Sequence, residues 1–153
     1  MTVVAPLAKF KKTNFKIYIG LLLIFAVYFG YDANYNKKFI AKHTVNGKPN
    51  STLVFNRKSP PYMLAAAIVL AIYAWTVRNI KIIADDQQLI ISEKGKINYS
   101  SIESIDKTNY DSKGFFIVVY KDDSGSSQQK KISSNNYDNL DAVLELLVSK
   151  ITG

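Results

Sequence analysis

The chain has no cysteine, a single histidine (His43) and, over its first 78 residues, a single acidic residue (Asp32). Without Cys there is no disulfide framework, no thiolate metal site and no Cys nucleophile, which fits a reducing compartment. A lone His with no acid nearby except Asp32 argues against a metal site and leaves His43 an ordinary exposed or interface residue. Arg is absent after Arg78, so the second half lacks the side chain that gives bidentate phosphate contacts. Phosphate-cradling Gly loops, G-x-S-x-G and H-E-x-x-H are also missing from the sequence, and with them the usual nucleotide, hydrolase and zinc-protease chemistry.

What is present is unevenly distributed. Residues 1 to 78 carry 11 Lys and Arg against one acid, a net +10, while residues 79 to 153 carry 9 Lys against 11 acids, a net −2. Two uncharged apolar runs lie in the basic half, Ile17 to Tyr31 and Tyr62 to Val77. Neither is amphipathic, and the rest of the chain is too short to wrap two such helices, so lipid is the expected surrounding. The expected transmembrane helices cover residues 15–31 and 62–78, behind a basic tail at 1–14. A cleavable signal peptide is the alternative for the first run, but small residues are lacking at both positions of an A-x-A-like site after it. A buried core helix is the alternative for the second, which Pro60 and Pro61 are expected to open.

Lys9, Lys11, Lys12 and Lys16 before the first run, with Arg78 and Lys81 after the second, are the expected contacts to anionic lipid. They favour both termini inside, in a multi-pass protein of the cell membrane. The loop opposes this with Lys37, Lys38, Lys42, Lys48, Arg57 and Lys58, and the weight given to the first helix decides the orientation. Within this loop, 32–61, Asn46-Gly47 between FIAKHTV and STLVF is a hairpin turn signal. Asn50-Ser51-Thr52 matches a glycosylation sequon, which has meaning only in a secretory-pathway protein.

From residue 79 the period changes to two. NIKIIA, LIIS, KINY, the stretch around SSIESI, FFIVVYK and QQKKIS give about six short strands with charged turns, an antiparallel sheet or partial barrel. Leu140, Val143, Leu144, Leu147 and Ile151 form one apolar stripe, a C-terminal amphipathic helix that Asn136 or Asp138 can cap. The acid pairs Asp85-Asp86 and Asp122-Asp123 fall in turns, where Asp bonds its own backbone. Glu103, Asp106 and Asp111 flank a strand and read as surface charges.

These segments, NIKIIA, LIISEKGKINYSSIESI, GFFIVVYKDDSG and KKISSNNYDNLDAVLELL, placed directly after a pair of spans, resemble the bacterial membrane-anchored pleckstrin-homology-like domains. Tyr99, Ser100, Ser101, Ile102 and Glu103 match the family's third strand and its bend. The resemblance covers residues 79–153. It implies a noncatalytic, cofactor-free α+β module that binds membranes, partner proteins or copies of itself. In relatives that hold phosphoinositides the first hairpin supplies basic residues; here Lys94 and Lys96 stand there, with Lys107 and Lys113 as further cations. The expectation is a non-enzymatic scaffold for protein contacts or self-association at the inner membrane. A small accessory subunit of a larger membrane complex and a lipid-headgroup sensor are the alternatives. Nucleic acid is not an expected partner, because the basic residues lie beside the spans rather than on a domain surface.

Overall fold

The computed structural model describes residues 2–92 and 95–152, and it divides into two compact units, one built from residues 1–12 and 77–153 and the other from residues 13–76.

The first unit is an antiparallel β domain with a C-terminal helix. Strands β4 (Lys81–Ala84), β5 (Gln88–Ser92) and β6 (Gly95–Asn98) form a meander, and β7 (Ile102–Asp106), β8 (Phe115–Lys121) and β9 (Ser127–Ser133) form a second sheet in that order. These are the six strands that the two-residue period predicts. The basic tail expected at 1–14 is structured instead: Val3–Pro6 is a strand, β1, paired antiparallel with β4 from Val3↔Ala84 to Pro6↔Lys81. The domain therefore has a four-stranded sheet, β1-β4-β5-β6, beside a three-stranded one, and the chain between its first two strands is the helical unit.

Alternation places Ile82, Leu89, Ile97, Phe116, Val118 and Ile132 in one core, which helix α5 (Leu140–Thr152) covers with Leu140, Val143, Leu144 and Leu147. Ile151, the last member of the predicted stripe, is half-buried. Each large side chain removed from water this way stabilises by about 1.5–3 kcal/mol. A single helical turn, α4 (Tyr110–Lys113), precedes β8 where a simple turn was expected. It closes on Gly114, which is left-handed (φ 67°) and sits so close to the Ser134 hydroxyl that a Cβ there would collide with it.

The second unit is built on two helices, α1 (Lys9–Asn34) and α3 (Ser51–Val77), each long and apolar enough to cross a membrane. Only 6% of either apolar window is buried, whereas a soluble core helix would be buried almost throughout. The buried and half-buried residues follow a spacing of alternating three and four. Leu22, Ala26, Phe29 and Ala33 line α1, and Leu53, Asn56, Pro60, Met63 and Ala67 line α3. This is the narrow seam of a helical pair. Edge-to-face ring contacts Phe15–Tyr73 (5.6 Å) and Phe29–Phe55 (5.7 Å) tie it at both ends.

Both helices are longer than the predicted spans, 15–31 and 62–78. The second does not open at Pro60-Pro61; these prolines lie inside α3, withholding the N–H bonds due to Asn56 and Arg57 carbonyls. The helix starts at Ser51, eleven residues before the predicted span, because Asn50 Oδ1 accepts from Leu53 N–H at 3.1 Å, an N-cap. Between the helices, FIAK is helical too: α2 (Lys37–Lys42) is capped by Asn36, whose Oδ1 accepts from Phe39 N–H at 3.2 Å. The predicted hairpin survives as β2 (Thr44–Val45) and β3 (Lys48–Pro49) around Asn46 (φ 51°) and Gly47 (φ 73°), the positive pair that a tight type I′ turn requires. FIAKHTV and STLVF otherwise go into helices.

Candidate functional site

The predicted lipid-contacting cations converge through backbone pairing. Lys9, Lys11 and Lys12 occupy the first turns of α1, while Arg78 directly follows α3 and Lys81 opens β4. The β1–β4 ladder and the bond from Leu7 N–H to Ile80 C=O (3.0 Å) hold these two segments side by side. Lys9, Arg78 and Lys81 are exposed, and Lys11 and Lys12 are half-buried. Lys16 is exposed on α1, within the helical unit.

The start of α1 reads KFKK and has no capping residue of its own. The domain supplies the acceptors. Asp138 Oδ2 accepts from the Lys9 backbone N–H at 3.0 Å, Asn136 C=O accepts from Ala8 N–H at 2.9 Å, and Asn136 Oδ1 accepts from Lys11 Nζ at 2.9 Å. Asn136 and Asp138, expected at the start of the C-terminal helix, thus serve the first helix, over a hundred residues away. A carboxylate at a helix N-terminus is favoured both by the free N–H groups and by the helix dipole.

Of the predicted headgroup contacts, Lys94 lies outside the described residues. Lys96 is exposed on β6 and lines a cavity of about 340 Å³ together with Lys121, Lys130, Asp122 and Asp123. That wall mixes charges of both signs, and Lys121 is paired with Glu103 at 3.4 Å. Lys107 lines a different cavity, of about 530 Å³, with Tyr110, Asp111, Asp141 and Glu145, where carboxylates outnumber it. Lys113 is exposed on α4. The candidate phosphate contacts are therefore dispersed rather than convergent.

The acidic turns behave as local backbone acceptors. Asp85 Oδ1 takes the N–H groups of Gln87 and Gln88, both at 2.8 Å, and these bonds hold its carboxyl below the usual range. Asp122 is lowered likewise, first by the Ser124 hydroxyl and then by the Ser126 N–H. Thr108 does the same for Asp106. Tyr99 donates to Asp85 C=O at 2.7 Å, and burial with the nearby Asp85 and Asp86 charges pushes its hydroxyl up to about 12. Tyr110, bonded to Asp141 at 2.9 Å, is likewise raised to about 12, mainly by burial.

In the helical unit Asp32 is buried, which its place beside an apolar run does not foretell. It is 5% exposed, and its Oδ1 accepts from Asn36 Nδ2 at 2.8 Å. Asn36 and Asn50 each do two things: Asn36 caps α2 while holding Asp32, and Asn50 caps α3 while its Nδ2 meets His43 Nδ1 at 3.1 Å. The sequon asparagine is thus engaged on both sides of its amide. His43 also packs on Phe39, with ring centroids 4.3 Å apart. Among the described residues, no three His, Cys, Asp or Glu side chains gather where they could hold a metal ion.

The chain matches no family model, and neither a curated protein nor a solved structure aligns with it significantly.

Proposed function

We propose that this is a two-span membrane protein whose pleckstrin-homology-like domain serves, without catalysis, as a platform for protein contacts or self-association on the cytoplasmic face of the cell membrane. The observation that carries the reading is β1. It precedes the first apolar helix yet pairs with β4, which follows the second. A chain whose domain needs strands from both flanks of the helices requires those flanks on one side of the bilayer, which two crossings deliver. Cleavage of the first helix as a signal peptide would strip this strand, including Ala5, which is fully buried. The two antiparallel sheets and the single C-terminal amphipathic helix are the features on which the family resemblance rests. The cations at both helix junctions support the inward orientation.

A cysteine introduced by Ser126→Cys, in the exposed turn before β9, tests the orientation. It should resist an impermeant thiol reagent in intact cells and react after permeabilisation; labelling in intact cells would reverse the topology. Gentle detergent extraction followed by mass spectrometry tests the role. Homo-oligomers or substoichiometric partners agree with a scaffold, and a fixed set of other subunits makes the chain an accessory subunit instead.

A further inference from the structure

We propose that the loop-side half of the helical pair binds one glycerophospholipid with an anionic headgroup, its acyl chain lying along a groove between α1 and α3. This rests on the membrane-spanning reading above. The groove has a volume of about 390 Å³ and is walled by Leu22 of α1 and by Phe55, Lys58, Tyr62, Met63 and Ala66 of α3. From the loop end of α3 the wall runs Phe55, Lys58, Tyr62, Met63 and Ala66, so an apolar floor lies beyond Lys58 and Tyr62. At 1.5 Å per residue, Lys58 and Ala66 are about 12 Å apart along the axis.

Side chains on a helix lean toward its N-terminus, which in α3 is the loop end. Lys58 can therefore lay its stem against the groove and carry its ammonium outward to headgroup depth, with Tyr62 at the interface. The apolar floor then meets an acyl chain.

Charge selects the headgroup. From Ala33 to Val77 the unit contains Lys37, Lys38, Lys42, Lys48, Arg57 and Lys58 and no acid. The one nearby carboxylate, Asp32, is turned inward and held by Asn36. The loop end so presents cations alone, and a basic recess between membrane helices favours an anionic headgroup over a zwitterionic one.

The full-length chain, extracted in mild detergent and mixed with equal amounts of phosphatidylglycerol and phosphatidylcholine of the same acyl chains, is measured by native mass spectrometry. One phosphatidylglycerol per chain should be retained over phosphatidylcholine by roughly fivefold, the ratio to which about 1 kcal/mol from one basic residue corresponds. Lys58→Ala should bring the ratio toward one. Ala66→Leu, which fills the groove floor, should reduce the adducts of both lipids, with helix content checked by circular dichroism. Lys48→Ala, at the start of β3 and outside the groove wall, should lower the ratio less than Lys58→Ala does. Equal retention of the two lipids by the parent overturns the proposal. So does a Lys48→Ala loss as large as that of Lys58→Ala, which would mean diffuse attraction, or a lipid-free dimer with the groove covered by a second copy. Alkaline carbonate extraction separates the two levels. Release of the chain removes the membrane reading itself, while retention with no lipid preference removes only the lipid site.

Discussion

The carboxylate of Asp138, in the segment between β9 and α5, accepts a hydrogen bond from the backbone N–H of Lys9, the first residue of α1, at 3.0 Å. The residue that precedes the last helix thus caps the first. A helix start with three lysines and no acid, which would otherwise leave its N–H groups to water, receives its acceptor from the far end of the chain.

Replacing this acceptor should therefore be felt. Asp138→Ala should cost about 1 kcal/mol, the usual loss at an N-cap, and Asp138→Asn, which keeps an acceptor oxygen, should cost less. Thermal melts of the detergent-solubilised chain rank the three proteins; equal melting of Asp138→Ala and the parent would remove the capping role.

Deleting residues 2–6 should expose the edge of β4 and open the core where Ala5 sits. The expected result is a domain cleaved much faster by protease within residues 79–153, with the chain still in the membrane fraction. Unchanged protection would show that β1 contributes nothing to the domain.

Within the helical unit the Ser59 hydroxyl is buried and makes no hydrogen bond among the described residues. A buried unsatisfied donor costs about 1–3 kcal/mol, so Ser59→Ala should leave the helical pair as stable or more stable in detergent denaturation. A clear loss would mean that the hydroxyl has a partner in the membrane.

The pH dependence of the domain has two limbs. Asp85, Asp106 and Asp122 have native values below the ordinary 3.8. Their contribution is present above 3.8 and is lost as pH falls through the lowered native values, because the unfolded chain takes up protons first. Tyr99 and Tyr110 are raised from 10 to about 12, so their contribution is complete below 10 and is lost between 10 and 12. Denaturant midpoints followed against pH should decline at both extremes, and Asp122→Ala should flatten the acid limb. An acid limb identical in that variant would contradict the assignment.

The β domain was largely readable in advance. NIKIIA, LIIS, KINY and FFIVVYK alternate between a water-facing and a core-facing side, and the stripe from Leu140 to Leu147 is amphipathic, so solvent contrast writes the structure into the sequence. The helical seam was not readable by the same means. Where both the seam and the outer face of a helix are apolar, periodicity has no contrast to report, and Ala26, Ala33 and Ala67 look like any other residues of an apolar run. Helix starts are obscured for another reason. Pro60-Pro61 gave a stronger local signal than Asn50, and FIAK has β-prone residues that Asn36 nevertheless caps into a helix.

The order of residues alone divides the chain into a basic, apolar half and a nearly neutral β half, and sets the strands after residue 79 and the buried face of the last helix. Those properties depend on local periodicity and on charge, which each segment carries alone. That Val3–Pro6 completes the sheet, that Asp138 serves Lys9 and that Asp32 is turned inward follows from long-range packing. The first two join an open strand edge and an uncapped helix start to partners more than 70 residues away, while Asp32 is buried by the fold although its partner, Asn36, is four residues on.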